Sequence, residues 1–439
     1  MASRIANLIK SGDRELDEWH RELRPIVSER RLLLSRNFGL VWWGQLISQI
    51  GDGVTKLALL WFVYSITGSP LKTTIIGMLQ TIPPIIFGPL IGVYLDRLPK
   101  KPVLIGTDIL RAVLIGLIPC WVSTSTFTVD RLYVLVFLHA LATAIFGPAL
   151  TAAIPQLVTR SQFTAANAWL QSTTSLGIIV GPVLSGIGIA ALSSQEVLCV
   201  NAVTYLLSAL CFMAVHFPMT SRQIMGHAAV STSTFKDLLE GFRFAKQPLI
   251  LSLIVTAALY SFGTSAFSTL FPVFGRKMLD LGPVEVGYLW SALGLGLLLM
   301  SIGLIKSTEW DLWKRLQIIA VSNAVSGAAL FTLASVPDRV AATLCMVMIG
   351  GGLGVFTPIA WGVIQELSPD RLVARILTIY GTGAMAAAIA GMTMFGWVTQ
   401  QFGERASVIG IGIILLMTAV VAVGFSRWVR PLKAGTLGP

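Results

Sequence analysis

The chain has 439 residues, of which 54% are hydrophobic and only 12% are charged, against roughly 25% charged residues in soluble globular domains. This composition excludes a soluble fold and indicates a membrane protein whose main partner is the lipid bilayer. The net charge of +11 does not indicate a nucleic-acid partner, because the basic residues are spread over the ends of apolar segments and form no single face.

About a dozen apolar segments follow one another, each close to the roughly 20 residues that a transmembrane helix needs. The predicted fold class is therefore an all-α polytopic membrane protein with twelve transmembrane helices. The predicted spans are 38–66, 71–95, 103–124, 130–152, 165–191, 195–217, 249–273, 283–305, 315–335, 338–367, 373–399 and 405–427.

Both ends of the chain are polar. Residues 1–37 contain no apolar core of the kind that a cleavable signal peptide needs. Their apolar positions fit an amphipathic surface helix, with a disordered tail as the alternative. Lys and Arg are concentrated in the tails and in the loops that follow even-numbered spans, which predicts that both tails, including residues 428–439, are cytoplasmic.

The longest internal connection, residues 218–248, divides the chain into two six-span halves, 38–217 and 249–427. It contains a predicted amphipathic interfacial helix. The halves share residues at a constant offset of 210 positions, which indicates an internal repeat of parallel topology. The matching pairs are Phe146 and Phe356, Pro148 and Pro358, Ile154 and Ile364, Leu157 and Leu367, Gly181 and Gly391, Gly186 and Gly396, and Gly77 and Gly287.

A cluster of charges separates the second span from the third. It begins Gly92-Val-Tyr-Leu-Asp-Arg-Leu-Pro-Lys-Lys and continues to Asp108 and Arg111. The segment resembles the signature Gly-x-Leu-x-Asp-Arg-x-Gly-Arg-Lys of the major facilitator superfamily, although the leucine is displaced and Pro99 replaces the second glycine. The resemblance extends from Asn37 to Arg430 and implies two six-helix bundles in a chain that usually works as a monomer.

The same resemblance implies a cytoplasmic gate formed by Gly92, Asp96, Arg97, Lys100, Lys101, Asp108 and Arg111. Asp96 would cap the positive end of span 11 across the interface between the halves. Arg97 and Arg111 would pair with acidic neighbours, Asp108 among them. These contacts would stabilise an outward-open state, whereas the residues alone also fit an ordinary solvated loop.

A second motif lies in span 5, where Gly177, Gly181, Pro182 and Gly186 resemble the antiporter pattern Gly-x-x-x-Gly-Pro-x-x-Gly-Gly except for one glycine. Small residues four apart let helices approach closely, so ordinary helix packing is the alternative. Finer features resemble the drug and macrolide efflux branch, which also contains lysophospholipid transporters and siderophore exporters. The features are Gly51-Asp52, Asp108 with Arg111, Ala166-Asn167-Ala168 and Gln365-Glu366.

Asp52 is the leading candidate for proton coupling, because a charge at the centre of a membrane helix costs about 2.5 to 10 or more kcal/mol unless it faces protein or water. Gln45, Gln49, Asp52 and Lys56 form one polar stripe along the first span. In the functional interpretation, Asp52 takes up a proton outside and releases it inside. In the structural interpretation, it is held in an ion pair with Lys56.

Further polar residues at helical spacing are expected to line a central substrate cavity together with Gln45 and Gln49. They are His139, Thr143, Tyr260, Thr264, Trp361 and Gln365. For His139 the alternative is a hydrogen-bonded packing role, and most of the 12 tryptophans are expected to pack or to anchor span ends. A cavity with few fixed charges suits an amphipathic molecule.

The sequence contains no phosphate-binding loop, nucleophile elbow or paired metal ligands. We therefore expect no enzyme activity, metal or cofactor, and transport that draws on an ion gradient, with the proton favoured and sodium as the alternative. The predicted function is proton-coupled export of amphipathic drugs or related small molecules across the inner plasma membrane by alternating access. The alternatives are a lysophospholipid or lipid transporter of the same fold, and a non-transporting receptor or scaffold.

Overall fold

The computed structural model describes residues 35–122, 128–159, 162–217, 243–304, 310–335 and 338–429. Twelve long helices make up almost all of these segments. They are α1 (Arg36–Thr67), α2 (Pro70–Arg97), α3 (Lys100–Val122), α4 (Val129–Leu157), α5 (Phe163–Ala191), α6 (Glu196–Ala214), α7 (Pro248–Met278), α8 (Pro283–Gly303), α9 (Leu312–Ser335), α10 (Arg339–Leu367), α11 (Asp370–Phe402) and α12 (Glu404–Val429).

The predicted all-α polytopic fold is confirmed. Eleven helices within the described segments are long and apolar enough to cross a membrane. The twelfth, α2, has 28 residues, which exceeds the length of about 20 that a span requires. The predicted amphipathic helix before residue 35 and the centre of the 218–248 linker lie outside the described residues.

A tight turn separates α1 from α2 and shows how the sequence sets a helix boundary. Gly68 adopts a left-handed conformation with φ of 61°, and its N–H donates to the Tyr64 carbonyl oxygen, which closes the end of α1. The Ser69 side chain accepts from the Lys72 N–H, and Pro70 is the first residue of α2. Serine at the N-cap and proline at the first helical position are both favoured at helix starts.

The helices form two bundles of six with the same internal packing. In the first half, α1 packs on α5 and α6, α2 packs on α4, and α3 packs on α4 and α6. In the second half, the helices six places later repeat each of these pairs: α7 with α11 and α12, α8 with α10, and α9 with α10 and α12. The internal repeat predicted from the sequence is therefore present in the helix packing.

The halves meet where α5 crosses α8. A Cβ added to Gly186 would lie 2.4 Å from the Pro283 carbonyl oxygen, and one added to Gly287 would lie 2.4 Å from the Pro182 carbonyl oxygen. No side chain fits at either distance, so both contacts require glycine. The crossing therefore depends on the absence of side chains in both helices.

A second crossing, between α2 and α11, repeats the first with the roles of the halves exchanged. A Cβ on Gly396 would lie 2.5 Å from the Thr74 hydroxyl oxygen, and one on Gly77 would lie 2.7 Å from the Met392 sulfur. Gly186 and Gly287 become Gly396 and Gly77 under the 210-residue offset, and Pro182 becomes Met392. Gly186, Gly287, Gly396 and Gly77 thus lie at two related contacts between the halves.

Both crossings lie on the side of the bundle opposite the two chain ends, near the α1–α2 turn and the end of α11. On that side the Ser69 hydroxyl also donates to Gln400 Oε1 at 3.0 Å. On the side that carries the chain ends, which we call the terminus side, α4 and α10 pack extensively only within their own halves. Among the described residues, the halves are therefore in contact on the far side and apart at α4 and α10 on the terminus side.

Candidate coupling site and substrate cavity

Five polar side chains from four helices of the first half meet in the membrane interior. They are Asp52 on α1, Asp108 and Arg111 on α3, His139 on α4 and Tyr205 on α6. Asp52 is central in the 32-residue helix α1, so the cluster lies far from either membrane surface. We refer to these five residues as the coupling cluster.

Arg111 is the centre of the coupling cluster. Its side chain is 1% exposed and forms an ion pair with Asp108, one turn earlier on α3. A second nitrogen, Nη1, lies 3.8 Å from Asp52 Oδ2. The guanidinium carbon lies 4.1 Å from the Phe146 ring centroid and 4.4 Å from the Tyr205 ring centroid. Two carboxylates and two aromatic faces therefore stabilise one buried cation.

Tyr205 connects Asp52 to His139. The Tyr205 hydroxyl donates to Asp52 Oδ1, and His139 Nε2 lies 2.9 Å from the same hydroxyl oxygen. A hydroxyl has a single proton, so His139 Nε2 is the donor when Asp52 is ionised. When Asp52 carries a proton, the chain can reverse, with Asp52 donating to Tyr205 and Tyr205 donating to His139.

Asp52 is the member of the coupling cluster that can exchange a proton with its surroundings. Its side chain is 26% exposed, whereas the Asp108 side chain is 0% exposed. Asp108 is therefore a fixed counter-charge for Arg111, and Asp52 is a second carboxylate that water or a ligand can reach.

Tyr205 was not among the residues singled out in the sequence, although α6 carries a signal for it. Asn201, Thr204, Tyr205 and Ser208 recur at helical spacing in an otherwise apolar helix. This polar face packs on α1, where Asn201 Nδ2 lies 2.6 Å from Thr55 Oγ1 and donates to it. A Cβ on Gly51 would lie 2.0 Å from Asn201 Oδ1, so the glycine before Asp52 makes room for this contact.

Lys56 does not pair with Asp52 in the structure. The Asp52 carboxylate turns into the first half toward Arg111 and Tyr205. The Lys56 ammonium instead lies 5.5 Å from the centroid of the Trp290 ring on α8. The ion pair between Asp52 and Lys56, which was the structural interpretation of Asp52, is thus absent from the observed state. Lys56 instead connects the two halves through its contact with Trp290.

The residues predicted to line the cavity separate into two groups. Gln45, His139 and Tyr260 are buried within their own halves. The Tyr260 hydroxyl donates to the Leu353 carbonyl oxygen at 3.0 Å, and its ring stacks on Phe356. These three side chains are packed inside their own bundles and do not line an open cavity.

The other predicted cavity residues are accessible. Thr143, Trp361 and Gln365 are exposed, while Gln49 and Thr264 are partly buried. Trp361 and Gln365 lie in the last two turns of α10, on the terminus side where the halves separate. An aromatic ring and an amide are therefore exposed at the terminus-side end of α10.

Four of the residues predicted to form the gate make their contacts within the first half. Asp108 and Arg111 belong to the coupling cluster. Lys100 Nζ donates to the carbonyl oxygens of Leu95 and Leu98 at the end of α2. Lys101 Nζ donates to the Met213 and Val215 carbonyl oxygens, each at 2.8 Å, at the end of α6.

A lysine near carbonyl groups at a helix C-terminus is favourable, so Lys100 and Lys101 cap helices, and within the described part of the chain their contacts stay inside the first half. Gly92, Asp96 and Arg97 belong to the last turns of α2, but the side chains of Asp96 and Arg97 lie outside the described residues. The proposed cap of Asp96 on α11 stays a prediction.

The glycines of the span 5 motif place α5 between α1 and α8. A Cβ on Gly177 would lie 2.4 Å from the Gln49 carbonyl oxygen, and one on Gly181 would lie 2.6 Å from the Gly53 Cα. Gly186, further along, contacts α8 of the other half. The motif thus joins the helix that carries Asp52 to the interface between the halves.

A model of the family described as Major Facilitator Superfamily matches residues 41–392. Among curated relatives, macrolide efflux protein A of Streptococcus pyogenes is 21% identical over 387 residues, which cover 88% of this chain and 94% of the relative. The multidrug efflux pump Tap of Mycolicibacterium fortuitum is 27% identical over 398 residues, with coverage of 88% and 95%.

Solved structures show the same fold at low identity. A bacterial homolog of the human lysosomal transporter Spinster superposes with a TM-score of 0.71 at 12% identity, covering 90% of this chain and 97% of the other. A bacterial homologue of the iron transporter ferroportin superposes with a TM-score of 0.70 at 17% identity, covering 89% and 98%.

Proposed function

Because the chain belongs to the Major Facilitator Superfamily and is a membrane transporter rather than an enzyme, we propose that it exports amphipathic small molecules in exchange for protons. The observation that carries this proposal is Asp52, an accessible carboxylate in the membrane interior that shares the buried Arg111 with a second carboxylate. No cofactor is needed, since the ion gradient supplies the energy.

The charges of the coupling cluster favour a proton as the coupling ion. Asp108 offsets Arg111, so an ionised Asp52 adds a negative charge in a region where unpaired charge is costly. A proton on Asp52 removes that charge and weakens its attraction to Arg111. Tyr205 and His139 can adjust to either form by reversing their hydrogen bonds, so Asp52 can load and unload without leaving a neighbour unpaired.

Exchange of substrate for protons requires two states of the transporter, one open on the terminus side and one open on the far side. With the terminus side facing the cytoplasm, substrate enters the space between the halves and the proton leaves Asp52. The halves then rock, the α5–α8 and α2–α11 crossings separate, and the transporter opens to the far side. There a new proton neutralises Asp52, and substrate is released.

The substrate class rests on the accessible residues and on the relatives. Trp361, Gln365 and Thr143 offer stacking, amide and hydroxyl groups, which suits an amphipathic molecule with an apolar body. Two relatives are named for the efflux of macrolides and of multiple drugs. We place the protein in the plasma membrane as a monomer with both chain ends in the cytoplasm, in agreement with the distribution of Lys and Arg.

Efflux of a fluorescent amphipathic dye from energised cells tests the proposal. Cells that produce the protein should extrude the dye, and a proton uncoupler should stop extrusion in sodium-free medium. Extrusion that persists with the uncoupler would contradict proton exchange. Extrusion that occurs only when sodium is present would show that sodium, and not the proton, is the coupling ion. Absence of movement across a broad dye and drug panel, with phospholipid movement instead, would support the lipid-transporter alternative.

A further inference from the structure

An apolar groove opens on the outer surface of the second half, between α8, α9 and α10. Its volume is about 600 Å³, within the range of roughly 300–1,000 Å³ for ligand-binding cavities. The groove is separate from the coupling cluster, which lies in the first half. Its lining includes Met300, Lys314, Gln317, Val321, Met348 and Gly351.

The groove faces the membrane. Val321 is 62% exposed and Met348 is 47% exposed, although both lie in helices apolar enough to cross a membrane. On α9 the lining runs from Lys314 to Val325, which corresponds to about 16 Å along the helix axis at about 1.5 Å per residue. This length is close to half of a hydrocarbon core of about 30 Å, so the groove spans one leaflet.

Glycines bring the three helices of the groove close together. Gly296 on α8 and Gly351 and Gly352 on α10 belong to its lining. A Cβ on Gly296 would lie 2.1 Å from the Val347 carbonyl oxygen, and one on Gly352 would lie 1.8 Å from the Ser326 hydroxyl oxygen. The floor of the groove is therefore formed by closely packed helices.

The polar groups of the groove are at its terminus-side end. Lys314 lies in the first turn of α9 and is exposed, with its Nζ 4.8 Å from the centroid of the Trp310 ring. Gln317 follows one turn deeper. A tryptophan beside a lysine at the end of a span is typical of the membrane surface, so the ammonium lies at the level of the lipid phosphates.

We propose that this groove binds one acyl chain of an anionic phospholipid from the terminus-side leaflet, with the lipid phosphate on Lys314. The groove matches the lipid in length, apolar character and position of charge. Coulomb attraction between the ammonium and the phosphate favours an anionic headgroup over a zwitterionic one. The inference does not depend on which ion drives transport or which substrate is carried.

Native mass spectrometry of the delipidated protein, titrated with phosphatidylglycerol or phosphatidylcholine, tests this site. Val321→Trp should fill the groove and weaken binding of phosphatidylglycerol by about tenfold, which corresponds to about 1.4 kcal/mol. Val420→Trp is the control, because Val420 on α12 is 71% exposed and lies outside the groove. Lys314→Gln should abolish the preference for phosphatidylglycerol over phosphatidylcholine.

Equal lipid binding by Val321→Trp, Val420→Trp and the unmodified protein would overturn the proposal. The proposal would also be overturned if Val321→Trp still bound phosphatidylglycerol but no longer bound the fluorescent dye. The groove would then bind the transported substrate. Lys314→Gln acts at the exposed end of α9, so it tests headgroup recognition even if a tryptophan in the groove disturbs folding.

Discussion

Tyr205 is the residue through which Asp52 and His139 communicate, since one hydroxyl contacts both side chains. Its ring has a separate role, because it covers the Arg111 guanidinium. The two roles can be separated by removing the hydroxyl and keeping the ring.

We expect Tyr205→Phe to slow proton-coupled transport by about tenfold to a hundredfold, since a hydrogen bond to a charged group contributes about 1.5–3 kcal/mol. Dye transport in proteoliposomes measures the effect. Tyr133→Phe is the matched control, because the Tyr133 hydroxyl donates to the Lys72 carbonyl oxygen at an exposed site. Wild-type rates in Tyr205→Phe would show that the hydroxyl has no part in coupling.

Arg111 and Asp108 should behave as a buried ion pair in which each charge offsets the cost of burying the other. Removing one partner of such a pair costs about 3–5 kcal/mol, so Arg111→Met or Asp108→Asn should lower the thermal midpoint in detergent strongly. The double variant should be more stable than the sum of the two losses predicts. Additive losses in fluorescence-detected size-exclusion melts would contradict direct pairing.

Sequence reasoning identified Asp52, Asp108 and Arg111 individually, because charges are rare within apolar spans. It paired Arg111 with Asp108, as the structure has them, but it assigned both to the gate and did not bring Asp52 to them. The spacing within one helix shows which residues share a face, but it does not show which faces of α1, α3 and α6 meet. Tyr205 was missed for the same reason, although the polar face of α6 was visible in the sequence.

At the level of the helices, sequence reasoning was more complete. The twelve predicted spans correspond to the twelve helices, because a run of about 20 apolar residues has few alternatives to a membrane helix. The ends differ from the predicted bounds by several residues. For example, α4 continues past Pro155 to Leu157, and α11 begins at Asp370.

The glycine crossing of α5 and α8 should control which side of the transporter is closed. In Gly186→Val, the new side chain would meet the Pro283 carbonyl group and force the far side open. Spin labels at Leu192→Cys and Lys277→Cys, in a variant without the four native cysteines, should report a longer distance across that side.

Gly147→Val is the control for this experiment, because no neighbouring atom lies within 4 Å of a Cβ at Gly147. It should leave the distance unchanged. The same short distance in Gly186→Val would show that the crossing tolerates a side chain and does not set the closed state.

For the whole molecule, the separation of the halves on the terminus side makes the predicted gate testable. If Asp96 caps α11 when this side closes, Asp96→Asn should deplete the closed population and slow transport. Labels at Gln156→Cys on α4 and Leu367→Cys on α10 should then lose their shorter distance component. Asp130→Asn, at the far-side start of α4, is the control, and identical distance distributions in both variants would refute the gate.

Uptake of dye into proteoliposomes under an imposed pH gradient tests the role of Asp52 most directly. The unmodified protein and Asp52→Glu, which keeps a carboxyl group, should accumulate dye against its gradient, with a slower rate for the displaced carboxylate of Asp52→Glu. Asp52→Asn should lose accumulation but retain exchange of dye down its own gradient, since its cavity is intact. Full pH-driven accumulation by Asp52→Asn would contradict the claim that Asp52 carries the coupling proton.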